Sequence, residues 1–184
     1  MTIKNRLSVY LACSAIIFAA FIPSAAFASG FGEGVFGANV PFGSATSISI
    51  ALGGDVSISL SPSGATFVGN GSHTLTVTST DVVGYMLYAR PTSGTDMVNN
   101  SATIPASGNS SAGPLATGTW GYNTTGSTSD FLGLPATGAL LKDAIGPFKN
   151  GDNTTVTYGA VTSNTQPAGS YAIAITYTVV AKNP

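Results

Sequence analysis

Tyr171-Ala172-Ile173-Ala174-Ile175-Thr176-Tyr177-Thr178-Val179 alternates large apolar side chains with alanine and threonine over nine residues. That is the two-residue period of a strand with one face buried. The turn signal Gln166-Pro167-Ala168-Gly169 precedes it. Working outward, the same period recurs. Ile48, Ile50 and Leu52 alternate with small residues, and after Gly53-Gly54-Asp55 the pattern resumes with Val56, Ile58 and Leu60. This reads as two short strands or one strand broken by a bulge. Leu75 and Val77 lie among threonines. From Val83 to Arg90, Val83, Tyr85, Leu87 and Ala89 share one face and Met86 and Tyr88 the other, which predicts a strand buried on both sides. Further strands are expected at 119–124, with Trp120 and Tyr122, and at 155–161. No long segment carries a 3.6-residue apolar stripe.

Turn chemistry separates these runs. Ser61-Pro62-Ser63-Gly64, Asn70-Gly71 and Asn150-Gly151-Asp152-Asn153 are turn signals. Residues 91–118 are rich in Ser, Gly, Asn and Pro and read as a long surface excursion. Residues 131–148, bounded by Pro135 and Pro147 around Leu140, Leu141, Ala144 and Ile145, read as a loop. Seven or so short strands without helices predict an all-β fold, a two-sheet antiparallel sandwich with immunoglobulin-like, Greek-key connections.

The N-terminus indicates the compartment. Lys4 and Arg6 precede an apolar stretch from Leu7 to Ile22, and Ala26-Phe27-Ala28 has the small-x-small form of a cleavage site. Residues 1–28 therefore read as a secretory signal. A lipoprotein signal ending at Cys13 is disfavoured by Tyr10-Leu11-Ala12 ahead of it, and a retained transmembrane helix by Pro23 and the small residues that follow. The expected organisation is a signal at 1–28, a Gly-rich tail at 29–44 and a sandwich domain at 45–184. The protein is expected outside the cell or on its surface, with no membrane span after cleavage. No sorting motif follows the last strand pattern, so retention at a surface is expected to come from assembly or binding.

Composition narrows the function. Charged residues make up 7% of the chain, with one His and one Cys. Residues 29–184 keep four basic side chains (Arg90, Lys142, Lys149 and Lys182) and seven acidic ones, a net charge of −3. Cys13 leaves with the signal. No basic run offers the electrostatic footprint that nucleic acid requires. Scattered titratable groups, without a G-x-S-x-G elbow or paired carboxylates, predict no enzyme. No cofactor and no metal are expected.

Three blocks carry a resemblance: residues 76–105 (T-V-T-S-T-D-V-V-G-Y-M-L-Y-A-R, then T-D-M-V-N-N-S-A-T-I-P), the Thr119-Trp120-Gly121-Tyr122 strand, and residues 151–178. Together they resemble a family of exported β-sandwich surface domains of Saccharibacteria/Patescibacteria-type bacteria. The Pro-Ala-Gly-x-Tyr turn into a last strand is also similar to fimbrial and spore-coat-like subunits. The resemblance implies a cell-surface location and carries over no catalytic residue.

Individual sites have bland readings beside the functional ones. His73, eight residues before Asp81, reads as an exposed edge histidine in preference to a triad member. Gly32-x-Gly34-x-x-Gly37 lacks the strand and helix of a dinucleotide fingerprint. Asp152 with Asn150 and Asn153 offers oxygen ligands but one carboxylate, so a turn is the better reading than a Ca²⁺ site. Lys142, Lys149 and Lys182 are the lysines available for an isopeptide cross-link. Tyr88, Trp120 and Tyr122 are candidates for a glycan-stacking platform, with core packing as the alternative. In the tail, Phe36, Ala38, Val40 and Phe42 alternate with Gly37, Asn39 and Pro41. Such a segment pairs within its own sandwich, remains a leader, or completes a neighbour's sheet by head-to-tail strand exchange. The expected function is a secreted, non-catalytic structural or adhesive protein, a pilus-like subunit in the self-assembling form. The alternative is a soluble glycan- or cell-wall-binding module.

Overall fold

Strand-forming residues, most of them in runs with a two-residue period, build the regular elements of the computed structural model, which describes residues 46–182. Ten strands follow in order: β1 (Ser47–Leu52), β2 (Ser61–Ser63), β3 (Thr66–Thr80), β4 (Gly84–Pro91), β5 (Met97–Asn99), β6 (Ala102–Ile104), β7 (Thr119–Asn123), β8 (Ala139–Ile145), β9 (Asp152–Ser163) and β10 (Ile175–Lys182). All ladders are antiparallel. One sheet has the order β1-β3-β9-β7, with β2 also on β3; a second has the order β10-β4-β8; β5 and β6 form a hairpin. The fold is an all-β antiparallel sandwich, as the alternation predicts. Within it β3 pairs with β9 and β4 with β10, and the strand beside β9, β7, comes before the strand beside β4, β8.

The core lies between the two larger sheets. Leu75 and Val77 from β3, Val156, Tyr158 and Ala160 from β9, and Trp120 and Tyr122 from β7 meet Tyr85, Leu87 and Ala89 from β4. Burial alternates along β3 from Leu75 onward and along β10, whereas β9 is buried on five consecutive residues from Val156 to Ala160, Thr157 included; other hydroxyl residues stand on the outer faces. There Thr74 pairs with Thr155 (3.3 Å), Ser47 with Thr80 (2.9 Å) and Thr92 with Thr176 (3.0 Å) through their hydroxyls.

Several expectations are corrected. Asn70-Gly71 is no turn: β3 runs without a break from Thr66 to Thr80. Residues 131–148 are no simple loop, since β8 pairs with β4 there, with a register shift between Leu87 and Tyr88. That bulge lets Leu141 slip out of register, so its sequence loses the two-residue signature. The 91–118 excursion contains the β5–β6 hairpin and then turns inward, burying Ile104.

The two sides of the sandwich are finished differently. The outer edge of β7 is covered: Ser107 N donates to Trp120 O (2.7 Å), Trp120 N to Pro105 O (3.1 Å), and Tyr122 and Leu132 exchange bonds of 2.9 and 2.7 Å. Phe131, 4% exposed, lies on the outer face over Gly159, where a Cβ would come within 2.3 Å of its ring. Gly159 is thus the notch that seats the 105–134 cover. Gly159→Ala is expected to destabilise the protein by about 1–3 kcal/mol. Gly108→Ala, where no atom lies within 4 Å of the added Cβ, should change stability by less than about 1 kcal/mol. Urea denaturation of the two variants checks the contrast.

Candidate functional site

On the opposite side the sandwich is open. β1 pairs with β3 as far as Leu52↔Leu75, and pairing resumes at Ser61↔Val68. Between them residues 53–60 leave the ladder while running along β3. Gly69 and Gly71 permit the close approach, since a Cβ at either would meet the backbone oxygen of Ser59 (2.4 Å) or Ser57 (2.7 Å). Val56 and Ile58 turn partly inward against the core, and Ser57 and Ser59 are exposed.

The facing wall is the approach to β10. Ala172 exchanges backbone hydrogen bonds with Val98 (2.9 and 3.1 Å), and Ala174 O accepts from Thr92 N (2.9 Å). Antiparallel geometry then directs the backbone groups of Tyr171, Ile173 and Ile175 away from these partners. Among the described residues β10 is hydrogen-bonded to β4 alone, and β1 comes close to it without forming a ladder. Tyr171, Ile173, Ile175 and Tyr177 all face the core side, yet each remains half-buried.

Between these walls lies a groove of about 800 Å³, floored by His73, Met97, Ile104, Tyr158 and Ala160. Its polar end is a directed hydrogen-bond chain. Gly54 O is an acceptor only, so His73 Nδ1 carries the proton that it receives (2.8 Å). In the neutral imidazole His73 Nε2 accepts from Tyr177 Oη (2.7 Å), and Tyr177 Oη accepts from Tyr158 Oη. The chain ties the 53–55 segment to β10 across the end of the groove. Burial holds the Tyr158 phenol well above the ordinary tyrosine range, and the adjacent Tyr177 adds to the shift. Burial also raises Tyr177, against a smaller opposing effect of its hydrogen bond with Tyr158.

The sequence-predicted residues fall elsewhere. Phe36, Val40 and Phe42 lie outside the described residues. Trp120 is fully buried, and its Nε1 donates to Thr95 O (2.9 Å). Tyr122 is 5% exposed in the same core, while Tyr88 sits on the far face of β4 with its hydroxyl on Met86 Sδ (3.2 Å). The three therefore form no common platform, because alternation puts Tyr88 and the β7 pair on different surfaces. His73 does stand at a local edge, in the 69–74 stretch of β3 that pairs with β9 alone, but it is not exposed: it is half-buried, with its ring against Tyr158 and Tyr177. Nor is it joined to Asp81, whose carboxylate accepts from Thr46 Oγ1 (3.1 Å).

Asp152 is taken up by Lys142 Nζ (2.7 Å) and Tyr85 Oη (2.8 Å), and Asn153 Oδ1 by Thr76 (2.8 Å). Lys182 is paired with Asp143. No group of three His, Cys, Asp or Glu side chains is gathered among the described residues. The groove residues Ile58, Ile173 and Ile175 went unselected as a site, although their alternation was visible; what sequence lacked was that the two walls stay apart. No family model, curated protein or solved structure matches the chain.

Two outcomes follow from the hydrogen-bond chain. Tyr177→Phe removes the shared hydroxyl and leaves Tyr158 and His73 Nε2 without it, so a loss of about 1–3 kcal/mol is expected by thermal or urea unfolding. With pKa values raised in the folded state, Tyr158 and Tyr177 stay protonated where the unfolded chain ionises, above about pH 10. Their contribution is complete below that pH and declines as pH rises beyond it. Alkaline titration should show phenolate absorbance from these residues appearing together with unfolding; ionisation while the fold is intact would contradict their burial.

Proposed function

We propose that the chain is exported and acts outside the cell as a non-catalytic structural or adhesive subunit, with the groove between 53–60 and β10 as its binding surface. The observation that carries this reading is the β10 strand edge, which faces the unladdered 53–60 segment across a floor that includes Met97, Ile104 and Ala160. Exposed edges invite pairing with another chain, and monomers ordinarily cover them with loops, charges or proline. Among the described residues the β7 edge is covered, and no strand is hydrogen-bonded to the β10 edge. The charged, small-residue pattern of residues 1–28 supports export, and the resemblance to surface sandwich domains points to the same compartment. A glycan-stacking role draws no support from Trp120 and Tyr122, which are buried. Main-chain recognition by strand addition suits a site with few titratable groups, because affinity then comes from backbone hydrogen bonds and alternate side chains.

The test expresses the whole chain in a bacterial host and identifies the product by mass spectrometry. A polypeptide beginning at Ser29, recovered with the cell surface and released into the medium by Ile173→Asp, is the expected result. A cytoplasmic product retaining residues 1–28 would overturn the reading.

A further inference from the structure

We propose that the groove receives residues 36–42 of a second copy of this chain, which add a strand beside β10 and link subunits head to tail. The inference rests on the exported, groove-binding reading above and names its partner. Four observations carry it.

The free edge is the right length. Residues 171–177 span about 20 Å at the usual strand rise, and the seven residues 36–42 span the same. The chemistry also matches. Phe36, Ala38, Val40 and Phe42 form one apolar row, and the floor between Ile58 and Ile173 offers apolar surface to such a row. As the outermost strand of the β10-β4-β8 sheet, the segment would occupy an edge, where Pro41 is tolerated.

Chain geometry disfavours the subunit's own tail. Residues 43–46 are all that separate Phe42 from β1. A hairpin through them would put Phe42 opposite Ser47 and Phe36 opposite Gly53, alongside β1. Residues 54–60 would stay uncovered. To bring Phe42 even to the near end of the groove, the linker would have to reverse and cover the roughly 17 Å length of β1 with about 17 Å of fully extended chain. A second copy has no such restraint.

Finally, the contact does not close on itself. A tail on one subunit and a groove on the next make a heterologous interface, which propagates into a filament unless a rotation closes a ring.

The experiment uses the exported chain and two variants, one defective in the tail (Val40→Asp with Phe42→Asp) and one in the groove (Ile173→Asp). Light scattering and negative-stain microscopy should show multimers for the unaltered chain and monomers for each variant alone. Mixing the variants should give heterodimers and nothing larger, because the tail of one still enters the groove of the other. Because an aspartate at position 173 also strains the fold, a synthetic peptide of residues 35–43 is titrated into the tail-defective chain as an independent readout. Saturation at one peptide per chain, with a higher melting temperature, is expected. Assembly of the tail-defective chain to the same extent as the unaltered one, or an exported chain that stays monomeric and binds no peptide, overturns the proposal. Export to the surface with release by Ile173→Asp but no peptide binding removes the strand exchange and leaves the groove-binding reading standing.

Discussion

The antiparallel ladder between β3 and β9 joins Thr66 to Ser163 at one end and Val77 to Asp152 at the other. With side chains alternating between faces, a slip of one residue along it would turn Leu75, Val77, Val156 and Tyr158 from the core to solvent. Every other element of the larger sheet takes its position from this pair: β1 and β2 share the free edge of β3, and β7 lies on β9. The ladder also sets the floor of the groove, because it holds His73 and Tyr158 near Tyr177.

From that frame the two flanks diverge. On the β7 flank, Gly121 and Gly159 carry no side chain where Leu132 and Phe131 press against the sheet. On the other flank glycine again allows close approach, at Gly69 and Gly71, but what approaches is a segment with no ladder of its own. One use of glycine seals an edge, and the other leaves a second wall standing beside an edge that is unsealed.

How much of this was legible depends on whether burial was one-sided. The 171–179 run announced itself because one face packs and the other does not, although its first residues bridge to Val98 before β10 proper begins at Ile175. At Asn70-Gly71 a strong local turn signal is overridden by the long pairing of β3 with β9. β8 was missed because its bulge breaks the period and leaves Leu140 and Ile145 exposed, the latter at 86%. The groove itself has no sequence signature. Its walls, 53–60 and 171–177, were both visible as alternating runs, but the space between them is a tertiary fact. The tail stands out by its pattern alone.

The exterior hydroxyl pairs bear on habitat. Thr74 with Thr155, Ser47 with Thr80 and Thr92 with Thr176 hold neighbouring strands through neutral groups, while ion pairs among the described residues are confined to Lys142–Asp152 and Lys182–Asp143. Dissolved ions screen charges and leave neutral hydrogen bonds nearly untouched. Strands fastened to one another in this way keep their cohesion from dilute water to brine, with no change in the protein itself.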